Sequence, residues 1–257
     1  MLRPRIIPCL LVHKSGLVKT TRFAEPKYVG DPINTVRIFN EKAVDELVVA
    51  DIDASVLGKA PDYGLIKKLA AECRMPLCYA GGIKTVEQID RIIGLGVEKV
   101  ALGSALFEVP DLISRAVNHV GSQSIVAVID SKKTGLLGSH SVFTHNGVRS
   151  TGVKPADLAK QAEALGAGEI LLNSIDQDGV MKGYDYALID EVREAVSLPM
   201  SVLGGAGSFD DIRKLVERYG LIGAAAGSLF VFKGKYRAVL INYPKPEEKR
   251  ALFSLTS

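Results

Sequence analysis

The sequence predicts a closed (β/α)8 barrel, a TIM barrel, on three observations: eight short apolar runs rich in β-formers, segments of helical period between them, and an internal repeat that writes one pattern twice. The runs fall at residues 6–10, 46–50, 77–80, 99–102, 125–129, 170–173, 201–203 and 222–226, each short enough for a buried parallel strand. Between them, residues 62–73, 86–95 and 185–196 place apolar side chains at three- and four-residue steps, the stripe a helix needs to lie on a sheet. The repeat decides between a closed and an open sheet. Ile52-Asp53, Asp62-Tyr63, Leu65-Ile66, Pro76, Gly81-Gly82 and Leu106-Phe107 recur as Ile175-Asp176, Asp185-Tyr186, Leu188-Ile189, Pro199, Gly204-Gly205 and Leu229-Phe230, every pair offset by 123 residues. Half-barrels of about 1–122 and 123–257 follow, making one domain over 1–257. Two matched halves close into a ring, without the edges that an open doubly wound sheet would expose.

Composition bounds the partners. Charged residues are 24% of the 257 and the net charge is +3, too small to call for a nucleic-acid partner but compatible with a small anionic ligand. Cys9, Cys73 and Cys78 are an odd set without metal-ligand spacing, which reads as reduced core thiols; no metal or cofactor is expected. The first apolar run stops at His13 and Lys14, too short for a signal peptide or a membrane span, so a cytoplasmic protein is expected.

Barrels of this kind take their ligand groups from the C-terminal ends of strands and the loops that follow. Gly81 and Gly82 follow strand three, Gly103 and Ser104 strand four, Gly179 strand six, Gly204 and Gly205 strand seven, and Gly227 and Ser228 strand eight. Glycines there admit backbone N–H groups close to a phosphate, with a helix start behind them, so two symmetric phosphate cups are expected. The alternative use of the same glycines is a tight strand-to-helix turn. Carboxylates end strands too: Asp51 and Asp53, Asp130, and Asp176 with Asp178. They are candidates for general acid–base work, with Asp130 and Asp178 the stronger pair; Asp51, Asp53 and Asp176 can equally serve as loop caps or pair with Lys19, Lys132 or Lys182.

Across nearly the whole chain the sequence resembles the cyclase subunit of imidazole glycerol phosphate synthase. The resemblance runs through RIIPCL at 5–10, the loop 16–23 with Lys19, GDP at 30–32, DELV at 45–48, DIDAS at 51–55, GGI at 81–83, AVID at 127–130, GAGEILL at 166–172, SIDQDG at 174–179, GYD at 183–185 and GGAG at 204–207. It implies a glutaminase partner at the N-terminal barrel face, ammonia passing through the barrel centre, and a phosphorylated small molecule held between the two cups, with Asp130, Lys19 and Asp178 carried over as catalytic positions. It also implies a charged gate at the N-terminal mouth, whose matching positions are Arg5, Glu46, Lys99 and Glu169. These charges stand at strand starts, where a purely structural ring of ion pairs is the alternative.

One departure bears on chemistry. The family pairs two aspartates, at the ends of strands one and five; here Asp130 supplies one and Leu11 occupies the other place. Leucine carries no proton. Gly103, Ser104, Leu203 and Ala80 also replace family residues. Leu11 and the stretch 232–244, basic and apolar by turns, resemble a side branch associated with acetamidino modification of nucleotide sugars for surface polysaccharides, which implies an ATP-using amidotransferase downstream. The alternatives are a genuine cyclase of histidine biosynthesis in which Asp51 or Asp178 replaces the missing acid, and a barrel that only activates the glutaminase.

Overall fold

The structure is a computed structural model that describes residues 3–135 and 138–253, so the barrel span expected over 1–257 is described within those limits. Eight parallel strands form the ring: β1 (Arg5–His13), β2 (Leu47–Asp51), β3 (Leu77–Ala80), β4 (Lys99–Leu102), β5 (Ile125–Thr134), β6 (Glu169–Ser174), β7 (Met200–Leu203) and β8 (Gly223–Ala226). Each pairs with the next, β8 pairs with β1 through Arg5↔Gly223, and the β5–β6 register sets Asp130 beside Asn173. No barrel edge is left open.

Around the ring lie α1 (Pro32–Glu41), α2 (Tyr63–Glu72), α3 (Val86–Gly94), α4 (Leu112–Val120), α5 (Pro155–Ala164), α6 (Tyr186–Arg193) and α7 (Phe209–Tyr219), with α8 (Pro246–Phe253) ending the described chain. Their starts explain part of the repeat. Asp62 caps α2 by accepting from Leu65 N at 3.0 Å, and Asp185, 123 residues on, caps α6 by accepting from Leu188 N at 3.3 Å. Thr85 with Gln88 and Ser208 with Asp211 form capping boxes at α3 and α7. Outward strand residues such as Ile6, Leu10, Val49 and Tyr79 pack beneath the helices, while Ile7, Cys9, Val48, Cys78, Ala101, Val126, Leu171 and Ala225 fill the lumen. Strand alternation sorts the two sets.

Two strands run further than their apolar patterns predict. β1 continues to His13 and turns into the antiparallel strands Gly16–Thr21 and Ala24–Gly30; β5 continues past Asp130 to Thr134 and pairs with Ser139–Thr144. Asp130 therefore sits within its strand rather than at its end. Both hairpins grow from the C-terminal mouth, on opposite strands of the ring.

The 232–244 stretch, read as a surface strand or arm, contains a short hairpin of Phe232–Lys233 with Ala238–Val239, its tip carrying Tyr236 at 91% exposure. The chain then crosses to the N-terminal face, where the Tyr243 hydroxyl donates to Ile6 O at 2.9 Å and Lys249 Nζ meets Asp45 at 2.8 Å. Among the described residues no helix is long and apolar enough to cross a membrane.

Candidate functional site

One cavity opens at the C-terminal mouth, and both glycine cups line it together with Leu11, Lys19, Asp51, Asp130, Asn173 and Asp178. In the ring order, β1 and β5 are four strands apart, so Leu11 and Asp130 face each other across the mouth. The Asp130 carboxylate accepts from Asn173 Nδ2 at 2.9 Å. Burial pushes its pKa up to about 6, with Asp178 adding to the rise and the Asn173 amide opposing it. A neutral acid near physiological pH is thus within reach of this group.

Lys19 is buried, and its ammonium donates to Cys9 O at the top of the lumen. Burial lowers its pKa against the pull of Asp178. Asp178 accepts from the Thr20 hydroxyl at 2.6 Å and from Phe23 N at 3.1 Å, so it ties the first hairpin to β6; burial raises its pKa despite those bonds. The three proposed chemical residues are brought to one cavity.

The other carboxylates are loop fasteners. Asp51 accepts from Asp53 N at 2.9 Å and Ala54 N at 3.2 Å, Asp53 pairs with His13 Nδ1 at 2.6 Å, and Asp176 accepts from Lys133 N at 2.7 Å. None of the three pairs with Lys19, Lys132 or Lys182; backbone N–H groups of the turns take that place, being nearer and fixed in position.

The cups have the expected glycines but different helices. A Cβ on Gly82 (φ +71°) would lie 2.5 Å from Lys59 O, and one on Gly205 (φ +110°) 2.0 Å from Gly183 O. Close backbone packing at a tight turn therefore requires glycine at both places, whatever binds above. Behind Gly103-Ser104 and Gly227-Ser228 the helices are single turns, Ala105–Glu108 and Ser228–Val231, too short to build much of a dipole. Any anion there meets turn N–H groups rather than a long helix end. The Ser104 hydroxyl bonds Ser55 at 3.1 Å.

At the opposite end, four side chains form a closed ring across the lumen. Arg5 bridges Glu46 and Glu169, at 2.6 Å to Glu169 Oε1; Lys99 Nζ is 2.9 Å from Glu46 Oε1 and 2.9 Å from Glu169 Oε2. Burial alone would raise the pKa of Glu169, but the hydrogen bonds and charges of Arg5 and Lys99 hold it below its ordinary value. Sequence reasoning missed a fifth member: the Ser201 hydroxyl donates to Glu169 at 2.5 Å and accepts from Arg5 at 3.3 Å. A polar residue starting the apolar run 201–203 was the available signal. Asn173, which closes the run 170–173, was missed for the same reason.

The fold and this site define a class: a barrel with a charged plug at one end, an apolar lumen, and a polar mouth with paired glycine turns at the other. Its relatives agree. The family model described as histidine biosynthesis protein matches residues 5–237. The chain is 57% identical over 253 residues to a provisionally named imidazole glycerol phosphate synthase subunit HisF of Leptospira interrogans, covering 98% of this chain and 100% of that one. It is 58% identical over 255 residues to another provisionally named HisF subunit, of Vibrio vulnificus, covering 99% and 98%. The imidazole glycerol phosphate synthase subunit HisF of Halalkalibacterium halodurans is 39% identical over 233 residues, covering 91% and 92%. The chain belongs to the histidine biosynthesis protein family, as an imidazole glycerol phosphate synthase subunit of the HisF type.

Proposed function

We propose that this barrel receives ammonia from a glutaminase at its N-terminal face, passes it through the lumen, and delivers it at a mouth that holds a phosphorylated ligand, in the service of acetamidino modification of a nucleotide sugar. The observation that carries this reading is Leu11 opposite Asp130. Ring closure by two proton-transferring groups lacks one of them here, and such a group contributes roughly 10²- to 10⁴-fold. Asp51 does not replace it, since its carboxylate is spent on the N–H groups of Asp53 and Ala54. Asp130, Lys19 and Asp178 then position or sense ligand, and the bond to nitrogen is made by a separate ATP-using amidotransferase.

The lumen supports the transport step. Between the charged ring and the mouth its lining is Ile7, Cys9, Val48, Cys78, Ala101, Val126, Leu171 and Ala225, a path that favours neutral ammonia over any ion. Arg5, Glu46, Lys99 and Glu169 act as the gate, with Ser201 as a hinge for Glu169. Gly81, Gly82, Gly103 and Ser104 hold one phosphate, and Gly179, Gly204, Gly205, Gly227 and Ser228 the other. Ring closure assayed on the purified barrel with the histidine-pathway substrate and excess ammonium tests the reading: a rate near background is expected, and turnover typical of a cyclase would overturn it in favour of histidine biosynthesis.

A further inference from the structure

The exposed apolar side chains of the barrel gather at one end. Among the described residues, all the exposed large hydrophobic side chains except Ile38 on α1 and Leu221 before β8 stand on segments that leave the C-terminal ends of strands. One such side chain in solvent is ordinary; a group of them marks an interaction site. The densest group is on the Phe232–Val239 hairpin and the first hairpin, where Tyr28 is 65% exposed, Val239 47% and Leu240 53%, together with Tyr236 at the tip. The two hairpins are joined. Lys27 Nζ lies 5.4 Å from the centre of the Phe232 ring, and the Arg237 guanidinium lies 5.8 Å from the same ring while donating to Gly179 O at 2.9 Å, on the lining of the mouth. Phe232 itself is buried, so the patch is anchored to the barrel.

The patch is also cationic. Lys27, Lys233, Lys235 and Arg237 have no ion-pair partner among the described residues. The acids close by are occupied: Asp178 by Thr20 and Phe23, Asp210 by Arg213 and Lys214, and Asp211 by the N–H groups of Gly207 and Ser208. Glu25 remains as an exposed acid on the first hairpin. Between the Phe232–Val239 hairpin and the start of α7 runs a groove lined by Met181, Phe209, Phe232, Lys233, Lys235 and Arg237, apolar at its base and basic at its edge. The groove has room for a side chain, and the tip beside it projects into solvent, whereas a small ligand needs a pocket that encloses it. Aromatic and arginine anchors with lysines at the rim are the composition of a protein interface.

We propose that the Phe232–Val239 hairpin, with the adjoining strand Ala24–Gly30, docks the enzyme that consumes the ammonia, through an acidic segment of that enzyme that sets an apolar side chain into the groove. This rests on the reading that ammonia is delivered at the mouth to a separate amidotransferase, and it says where that enzyme sits. Ammonia that reaches open water is protonated and diluted, so its acceptor has to cover the exit. A partner held on Tyr236 and Arg237, beside Gly179 at the rim, does so. The face proposed for the glutaminase is at the opposite end of the barrel, which leaves this one free.

The experiment measures binding of the full barrel to the amidotransferase by sedimentation velocity and maps the contact by hydrogen exchange. Added protection at residues 24–30 and 232–240 is expected, with an affinity that falls as salt rises. Affinity should drop at least about tenfold in the double variant Lys233→Glu with Lys235→Glu, and again in Tyr236→Ser. These three side chains are exposed, so the variants should fold. Lys67→Glu with Lys68→Glu makes the same charge change on the exposed side of α2, outside the patch, and should bind like the unaltered barrel. With the glutaminase added, the hairpin variants should lose glutamine-driven product and keep ammonium-driven product. Absence of binding, protection confined to other segments, or undiminished affinity in the hairpin variants would overturn the proposal. So would a dimer of the barrel alone that the same variants abolish, which would give the surface to a second copy, or the same protection produced by UDP-glucose alone, which would give it to a nucleotide sugar. The ring-closure assay reads the barrel without this partner, so it decides the proposed function whichever way the binding falls.

Discussion

Lys99 Nζ lies 2.9 Å from Glu169 Oε2, and the contact is inside the protein: the Lys99 side chain is 18% exposed, Glu169 10%, and Glu46, its second partner, 5%. The sequence places these charges at a barrel mouth, where losing one pair would cost little. Burial changes that expectation.

Lys99→Leu should cost about 3 kcal/mol of stability, because it leaves Glu46 and Glu169 facing each other with only Arg5 between them. Urea denaturation measures this. With the glutaminase and the downstream amidotransferase both present, glutamine hydrolysis should persist while glutamine-driven product formation falls and ammonium-driven formation does not. Equal loss of both would mean that the ring is structural and gates nothing.

Leu11→Asp should raise ammonium-dependent ring closure on the histidine-pathway substrate about 10²-fold above the starting level. The new carboxylate enters a mouth that already holds Asp130 and Asp178, so it should also raise the Asp130 pKa further, and the pH–rate profile should move upward with it. A variant that folds and shows no gain would mean that the rest of the site has lost competence too.

Asp130→Asn should stabilise the barrel at neutral pH by about 2 kcal/mol. The folded pKa of about 6 lies above the ordinary 3.8, so the native state holds this proton more tightly than the unfolded chain. Stability from this group is full below the ordinary value and is lost as pH rises through about 6. Denaturation of both proteins at pH 4 and at pH 7.5 should show the difference only at the higher pH.

His140 joins the second hairpin to α6, with Nδ1 3.0 Å from Glu191 and Nε2 3.5 Å from Asp185, which Lys133 also approaches at 3.4 Å. The Asp185 carboxylate close to Nε2, with Glu191 at Nδ1, raises the His140 pKa above its ordinary 6.5, and the nearness of His140 holds Asp185 down at about 2. The histidine's contribution is present below 6.5 and lost as pH rises through its folded value; that of Asp185 is present above 3.8 and lost as pH falls toward about 2. Protection factors at residues 139–144, with the intrinsic pH dependence of exchange divided out, should be highest between those limits and lower at pH 8.5. His140→Leu should remove the dependence above pH 6.5.

The sequence by itself determined the ring. Eight β-rich runs, the helical periods between them and the 123-residue repeat all follow from local propensity and from the burial alternation of strands, which are written residue by residue. Asp62 and Asp185 even carry the cap chemistry of the repeat in their own positions. The resemblance supplied the ring residues Arg5, Glu46, Lys99 and Glu169, and the change at Leu11. Only the tertiary structure decided what each polar group does. Asp51, Asp53 and Asp178 look alike in sequence, yet two fasten turns and one ties a hairpin under the mouth, because hydrogen-bond partners come from chain segments up to 158 residues away. Ser201 and Asn173 gave no signal beyond one polar letter in an apolar run; their meaning lies in the strands beside them, where β5 brings Asp130 to Asn173 and β6 brings Glu169 to Ser201. Propensity is local and legible, whereas the pairing of buried polar atoms is set by which strands the closed barrel makes neighbours.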